Sequence, residues 1–171
     1  MIVAVDPGVD AAVCCVAPPA KILSVIGVDG LDPRVAVTLL NKAKSMENSS
    51  GPVQLVIEGQ WTPRPTKPGD PPEKKRTNPK TLEKLYASRF AWQTVAMLMG
   101  IPFVIVKPAT WQTVMKGIVK KDAAGNKRKI KARSMEFARG LWPHVPNDHY
   151  ADAIAMALWR ADGGTVPEER D

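Results

Sequence analysis

The sequence predicts an α/β domain built on a mixed five-stranded sheet, three antiparallel strands followed by parallel ones, with helices flanking it. Two features carry that expectation. Three short apolar runs stand close together near the start, and two further runs are separated and followed by segments of helical periodicity. A chain of 171 residues with 44% hydrophobic content is long enough to bury one core. A single domain is therefore expected over residues 1–162, with a polar tail at 163–171.

The elements follow in order. Ile2 to Val5 is apolar and β-branched and is closed by Asp6-Pro7-Gly8, so it reads as a buried strand ending in a turn with Asp6 at its tip. Ala11 to Val16 and Ile22 to Val28 follow with turn signals between them, as in an antiparallel meander. Asp32-Pro33 combines a cap with proline at the first helical position. Val35, Leu39, Leu40 and Ala43 then recur on one face until Asn48-Ser49-Ser50-Gly51. Val53 to Ile57 is the next strand, again closed by an acid, Glu58.

Gly59 to Thr77 is rich in proline, lysine and arginine and reads as an exposed loop, long enough to suggest a function of its own. Asn78-Pro79 opens a second helix carrying Leu82, Leu85, Tyr86, Trp92 and Val95 as far as Gly100. Phe103 to Val106 is a further strand, and a short helix from Pro108 carries Trp111 and Val114. A polar loop at Asp122 to Asn126 precedes a helix over Ile130 to Leu141, with Met135, Phe137, Ala138 and Leu141 inward. The final helix starts at Asn147 or Asp148, ends at Ala161 and is dense in alanine.

No run of about eighteen apolar residues exists, and the chain opens without the basic start of a signal peptide. A soluble cytoplasmic protein is expected. Cys14 and Cys15 are neighbours in a strand, where alternate side chains face opposite ways, so they read as free thiols. The formal charge of +7 suits a polyanionic partner such as nucleic acid. Basic residues gather in two segments, Arg64 to Arg89 and Lys107 to Arg133, where phosphate contacts are expected.

The most informative residues are acids. A charge at the end of a buried strand costs several kcal/mol unless compensated. Adjacent strands would bring Asp6 and Glu58 together, and a divalent cation is the usual remedy for such repulsion. Asp152 lies in the alanine-rich helix, with His149 three residues and Asp148 four residues earlier, hence on one face. If that helix crosses the sheet ends, the result is a cluster suited to Mg²⁺ or Mn²⁺.

Three blocks in register, Ile2-Val3-Ala4-Val5-Asp6-Pro7-Gly8, Val56-Ile57-Glu58-Gly59-Gln60-Trp61 and His149-Tyr150-Ala151-Asp152-Ala153-Ile154-Ala155, resemble the RuvC Holliday-junction resolvases. The resemblance extends from residue 2 to about residue 160 and implies a ribonuclease H-like fold. It implies a catalytic, metal-holding set of Asp6, Glu58, His149 and Asp152, with two Mg²⁺ ions per site and Mn²⁺ as a substitute. It further implies hydrolysis of DNA to 5′-phosphate ends, and a homodimer whose two sites nick opposing strands of a four-way junction. Trp61 stands where the family places an aromatic that wedges into the junction centre. Arg64, Lys74, Lys75, Arg76, Lys116, Lys129 and Lys131 are the expected DNA contacts. Gln112 occupies the place of a family lysine, whose role Lys116, Lys129 or Lys131 could fill. Many members have an acid in place of His149; Asp148 is the alternative ligand, but it also suits a helix cap. A nuclease for other branched DNA or for RNA remains open, as does a non-catalytic nucleic-acid-binding protein of the same fold.

Overall fold

The computed structural model describes residues 1–59, 79–115, 118 and 129–165. The five expected strands form one sheet. β1 (Ile2–Asp6) runs through its middle, antiparallel to β2 (Asp10–Ala17) and parallel to β4 (Gln54–Glu58). β3 (Lys21–Asp29) lies outside β2 and β5 (Phe103–Val106) outside β4, giving the order β3-β2-β1-β4-β5. β1 and β4 read as unbroken apolar runs because helices cover both faces of the sheet, leaving no solvent side on which polar residues could alternate.

One face packs against α1 (Pro33–Ser45) and α3 (Pro79–Leu98). Val3, Val5, Val13, Leu55 and Ile57 meet Leu40, Trp92 and Val95 there. Between these helices lies a single turn, α2 (Glu47–Ser50). The other face carries α4 (Pro108–Trp111), α5 (Ile130–Leu141) and α6 (Asp148–Ala161). On that side the central strands present small residues, Ala4, Ala12 and Cys14. In α6, Ala151, Ala153, Ala155 and Ala157 are all fully buried. Small side chains on both partners let the helix lie close to the sheet, which brings its first turn to the tips of β1 and β4.

Two local expectations change. The first helix does not run on to residue 48: it ends at Ser45, and the Glu47 carboxylate accepts a hydrogen bond from Val53 N at 3.0 Å, folding the chain back towards β4. Leu141, expected inward, is 50% exposed, because the backbone turns extended at Trp142 and the half-buried indole of that residue enters the core instead. Asp32 does cap α1 as expected, accepting from Arg34 N at 2.9 Å.

The turn after β1 is tied to α3. Gly8 N donates to the buried Ser88 Oγ at 3.1 Å, and Gly30 packs so tightly against Gly8 O and Ser88 Oγ that a Cβ there would overlap both. Ser88→Ala leaves the Gly8 N–H without its acceptor in a buried place, and should cost about 1–3 kcal/mol of stability. Urea unfolding of the two proteins checks this, and equal midpoints would show that the bond contributes nothing.

Candidate active site

The parallel register of β1 and β4, with Val5 beside Ile57, sets Asp6 next to Glu58 at one edge of the sheet. Asp6 is only 6% exposed. The first turn of α6 comes down on the same edge, and His149 Nδ1 lies 2.7 Å from Asp6 Oδ2 across 143 residues of sequence. One helical turn further on, Asp152 faces the same carboxylates and is hydrogen-bonded to the buried Ser134 of α5. Glu58 hydrogen-bonds Asp6, and its Oε1 accepts from the Trp111 indole N–H at 3.0 Å. Asp6, Glu58, His149 and Asp152 thus converge.

The electrostatics follow from that convergence. Burial, and then the charges of Asp6 and Asp152, push the Glu58 carboxyl up to about 9, against a partial downward pull from the Trp111 hydrogen bond. Burial and Asp6 likewise push Asp152 up to about 7, while Ser134 pulls it down. His149 is raised by its hydrogen bond to Asp6, against burial. Crowded carboxylates sharing too little positive charge form a donor set of hard oxygens plus one imidazole, which fits a Mg²⁺ or Mn²⁺ ion. As they stand the side chains are bonded to one another, and no group of three His, Cys, Asp or Glu among the described residues is already arranged around a common point.

Both raised carboxyls make the same statement about stability. A raised folded-state value favours the neutral form, so the stabilisation is complete below the ordinary values of 4.5 and 3.8 and is lost as pH rises through about 9 and about 7. In EDTA the protein should melt at a lower temperature at about pH 8 than at about pH 5, where carboxyls begin to protonate. Glu58→Gln should flatten that slope, and Mg²⁺ should raise Tm most at the alkaline end. A slope unchanged in Glu58→Gln would mean that this cluster does not govern the pH response.

Other expected residues fall as follows. Asp148 does not cap α6: Asn147 has the extended backbone of a cap, and its side chain accepts from Tyr150 N at 3.3 Å. The Asp148 carboxylate is instead paired with the Lys131 ammonium, which lowers the acid and raises the amine. Lys131 also feels the charges of Asp152 and Asp6, which sets it at the rim of the cluster. Lys129 is exposed at the start of α5, and Gln112, half-buried, opens the short helical turn after α4. Trp61, Arg64, Lys74, Lys75, Arg76 and Lys116 lie outside the described residues.

Sequence reading missed Trp111 and Ser134 as partners of the cluster. Trp111 reads as a core residue, and its ring is one; the only hint is that a buried indole N–H needs an acceptor. Ser134 offers a weaker hint, a hydroxyl on the inward face of an amphipathic helix.

A mixed five-stranded sheet in the order β3-β2-β1-β4-β5, antiparallel then parallel and covered by helices, is a ribonuclease H-like architecture, here with acids at the tips of β1 and β4. Among solved structures, the fold is similar to that of Thermus thermophilus RuvC in complex with Holliday junction substrate. That likeness has a TM-score of 0.59 and 16% identity, covering 94% of this chain and 92% of that one. It is also similar to the Thermus thermophilus RuvC structure, with a TM-score of 0.56 and 17% identity over 95% and 96% of the two chains. No family model and no curated protein matches the sequence. The fold is therefore that of RuvC, the ribonuclease H-like fold expected from the sequence. None of the described helices is long and apolar enough to cross a membrane.

Proposed function

We propose that this protein is a metal-dependent endonuclease that resolves four-way DNA junctions by paired nicks. The observation that carries the reading is the convergence of Asp6, Glu58, His149 and Asp152 on this fold. The net charge of +7 and the similarity to a RuvC bound to a Holliday junction support a branched DNA substrate.

In this reading Asp6, Glu58 and Asp152 would hold divalent cations at the strand tips, and His149 would complete the set while its hydrogen bond fixes the orientation of Asp6. The bound ions would supply Lewis-acid charge for the attacking water and the departing 3′ oxygen. The sheet and α6 keep the carboxylates from relaxing apart. In the same reading Lys131, at the rim, and exposed Lys129 would hold backbone phosphates, and the basic segment with Trp61, Arg64, Lys74, Lys75 and Arg76 would supply further contacts. Lys116 belongs to the same set.

The reading includes a homodimer. Trp92, Val95 and Ala96 of α3 face the core, yet Phe90, Met97 and Leu98 on its far side are 54%, 68% and 82% exposed. A helix apolar on both sides calls for a cover on each. A second copy, bringing the second site that a twofold junction requires, is the fitting one.

The test uses labelled synthetic substrates: a four-way junction, a flap and an RNA:DNA hybrid, each with Mg²⁺ and with EDTA. Junction cleavage that needs Mg²⁺ is expected. Preference for the flap or the hybrid would move the substrate class, and binding without cleavage of any would make the protein a non-catalytic binder.

A further inference from the structure

Glu58 is held from two sides. Its backbone ends β4, and the next residue is pinned to β5 by the 2.7 Å hydrogen bond from Gly59 N to Val106 O. Its side chain meets Trp111, which ends the single helical turn that follows β5. Because β5 is the neighbour of β4, that turn lies beside the tip where Glu58 stands. Trp111 is 1% exposed and belongs to the buried cluster under α6 that also contains Met115, Ala153 and Met156. A ring so enclosed cannot swing, and its indole nitrogen is a donor only. Glu58 Oε1 accepts that N–H at 3.0 Å.

The choice of donor matters. An ammonium or guanidinium in this place would neutralise the carboxylate and compete with a cation, whereas a neutral N–H fixes the direction of one oxygen and leaves the charge in place. Lys131, whose ammonium feels the charges of Asp6 and Asp152 at the rim of the cluster, is paired with Asp148.

We propose that Trp111 is the positioning residue for Glu58, its core-anchored indole N–H orienting the carboxylate towards a divalent cation. The proposal rests on reading the cluster as a divalent-cation site. Hydrogen bonds from outside the ligand set orient ligands and tune affinity, and their loss weakens metal binding about 10- to 100-fold.

Mn²⁺ binding, measured by calorimetry without DNA, separates the two ideas. Trp111→Phe keeps an aromatic ring and removes the donor, and should weaken Mn²⁺ binding by about 10- to 100-fold. Glu58→Gln should weaken it more. Trp111→Phe added to Glu58→Gln should bring no further loss, since the bond has no carboxylate left to orient. Equal losses from Trp111→Phe in both backgrounds would mark a packing effect and overturn the proposal, as would unchanged affinity in Trp111→Phe while Glu58→Gln binds poorly. Failure of the parent to bind Mn²⁺, or full binding by Glu58→Gln, would instead overturn the cation-site reading. If Trp111→Phe does not fold, replacing the indole at position 111 by benzothiophene preserves the shape without the N–H, and the same comparisons apply.

Discussion

Asp6→Asn is expected to abolish junction cleavage while the protein stays folded and still binds DNA. Asp6 is the most enclosed of the four side chains, 6% exposed, and it touches both His149 and Glu58. The amide keeps the volume and a hydrogen-bonding oxygen but removes the central negative charge. Losing several kcal/mol of charge stabilisation, at tenfold for about each 1.36 kcal/mol, slows the reaction by about a thousandfold or more. Stability should not fall, because the repulsion that Asp6 exerts on Glu58 and Asp152 disappears with the charge. Binding should hold or tighten, since a negative group facing phosphate is gone. Single-turnover cleavage, thermal melting and gel-shift titration read the three effects separately. Cleavage at the parent rate in Mg²⁺ would remove Asp6 from the chemistry.

His149→Ala is the second large effect. It strips Asp6 of its 2.7 Å partner and empties the fourth position of the cluster, so activity should be severely reduced. His149→Asp restores an oxygen donor at the same helical position and should recover part of the rate. Asp148→Ala is the control one residue away. It removes a partner of the 71% exposed Lys131 and leaves the Asn147 cap intact, so the stability change should be about 1 kcal/mol or less, with cleavage mostly kept. Single-turnover rates in which Asp148→Ala is dead and His149→Ala is active would transfer the role to Asp148.

The parts of the site that were legible in the sequence obey local rules. An acid closing a buried strand is visible as a break in an apolar run, which identified Asp6 and Glu58. The three-residue spacing of His149 and Asp152 places them on one helical face. The sheet was legible because short apolar runs joined by turns can pair antiparallel, while runs joined through helices return parallel. What stayed hidden depends on contacts between distant segments. Trp111 reaches Glu58 across 53 residues, and nothing in its surroundings announces a polar task. The choice between Asn147 and Asp148 as cap turns on the backbone angles of one residue. Leu141 fits the helical period of α5, but the period carries no information on where a helix stops touching its neighbour.

The hydrogen bond between Asp6 and His149 joins the first strand to the last helix, and this has a bearing on how the protein is made. Synthesis delivers the sheet strands well before α6, and domains fold as the chain emerges. Until α6 docks, Asp6 and Glu58 lack both of their later partners, and no local folding event can supply them. A nascent chain on the ribosome, surrounded by ribosomal and messenger RNA, therefore carries half a site. The four side chains can converge only once α6 has left the ribosome and docked on the sheet, so completion of the cluster coincides with the close of folding.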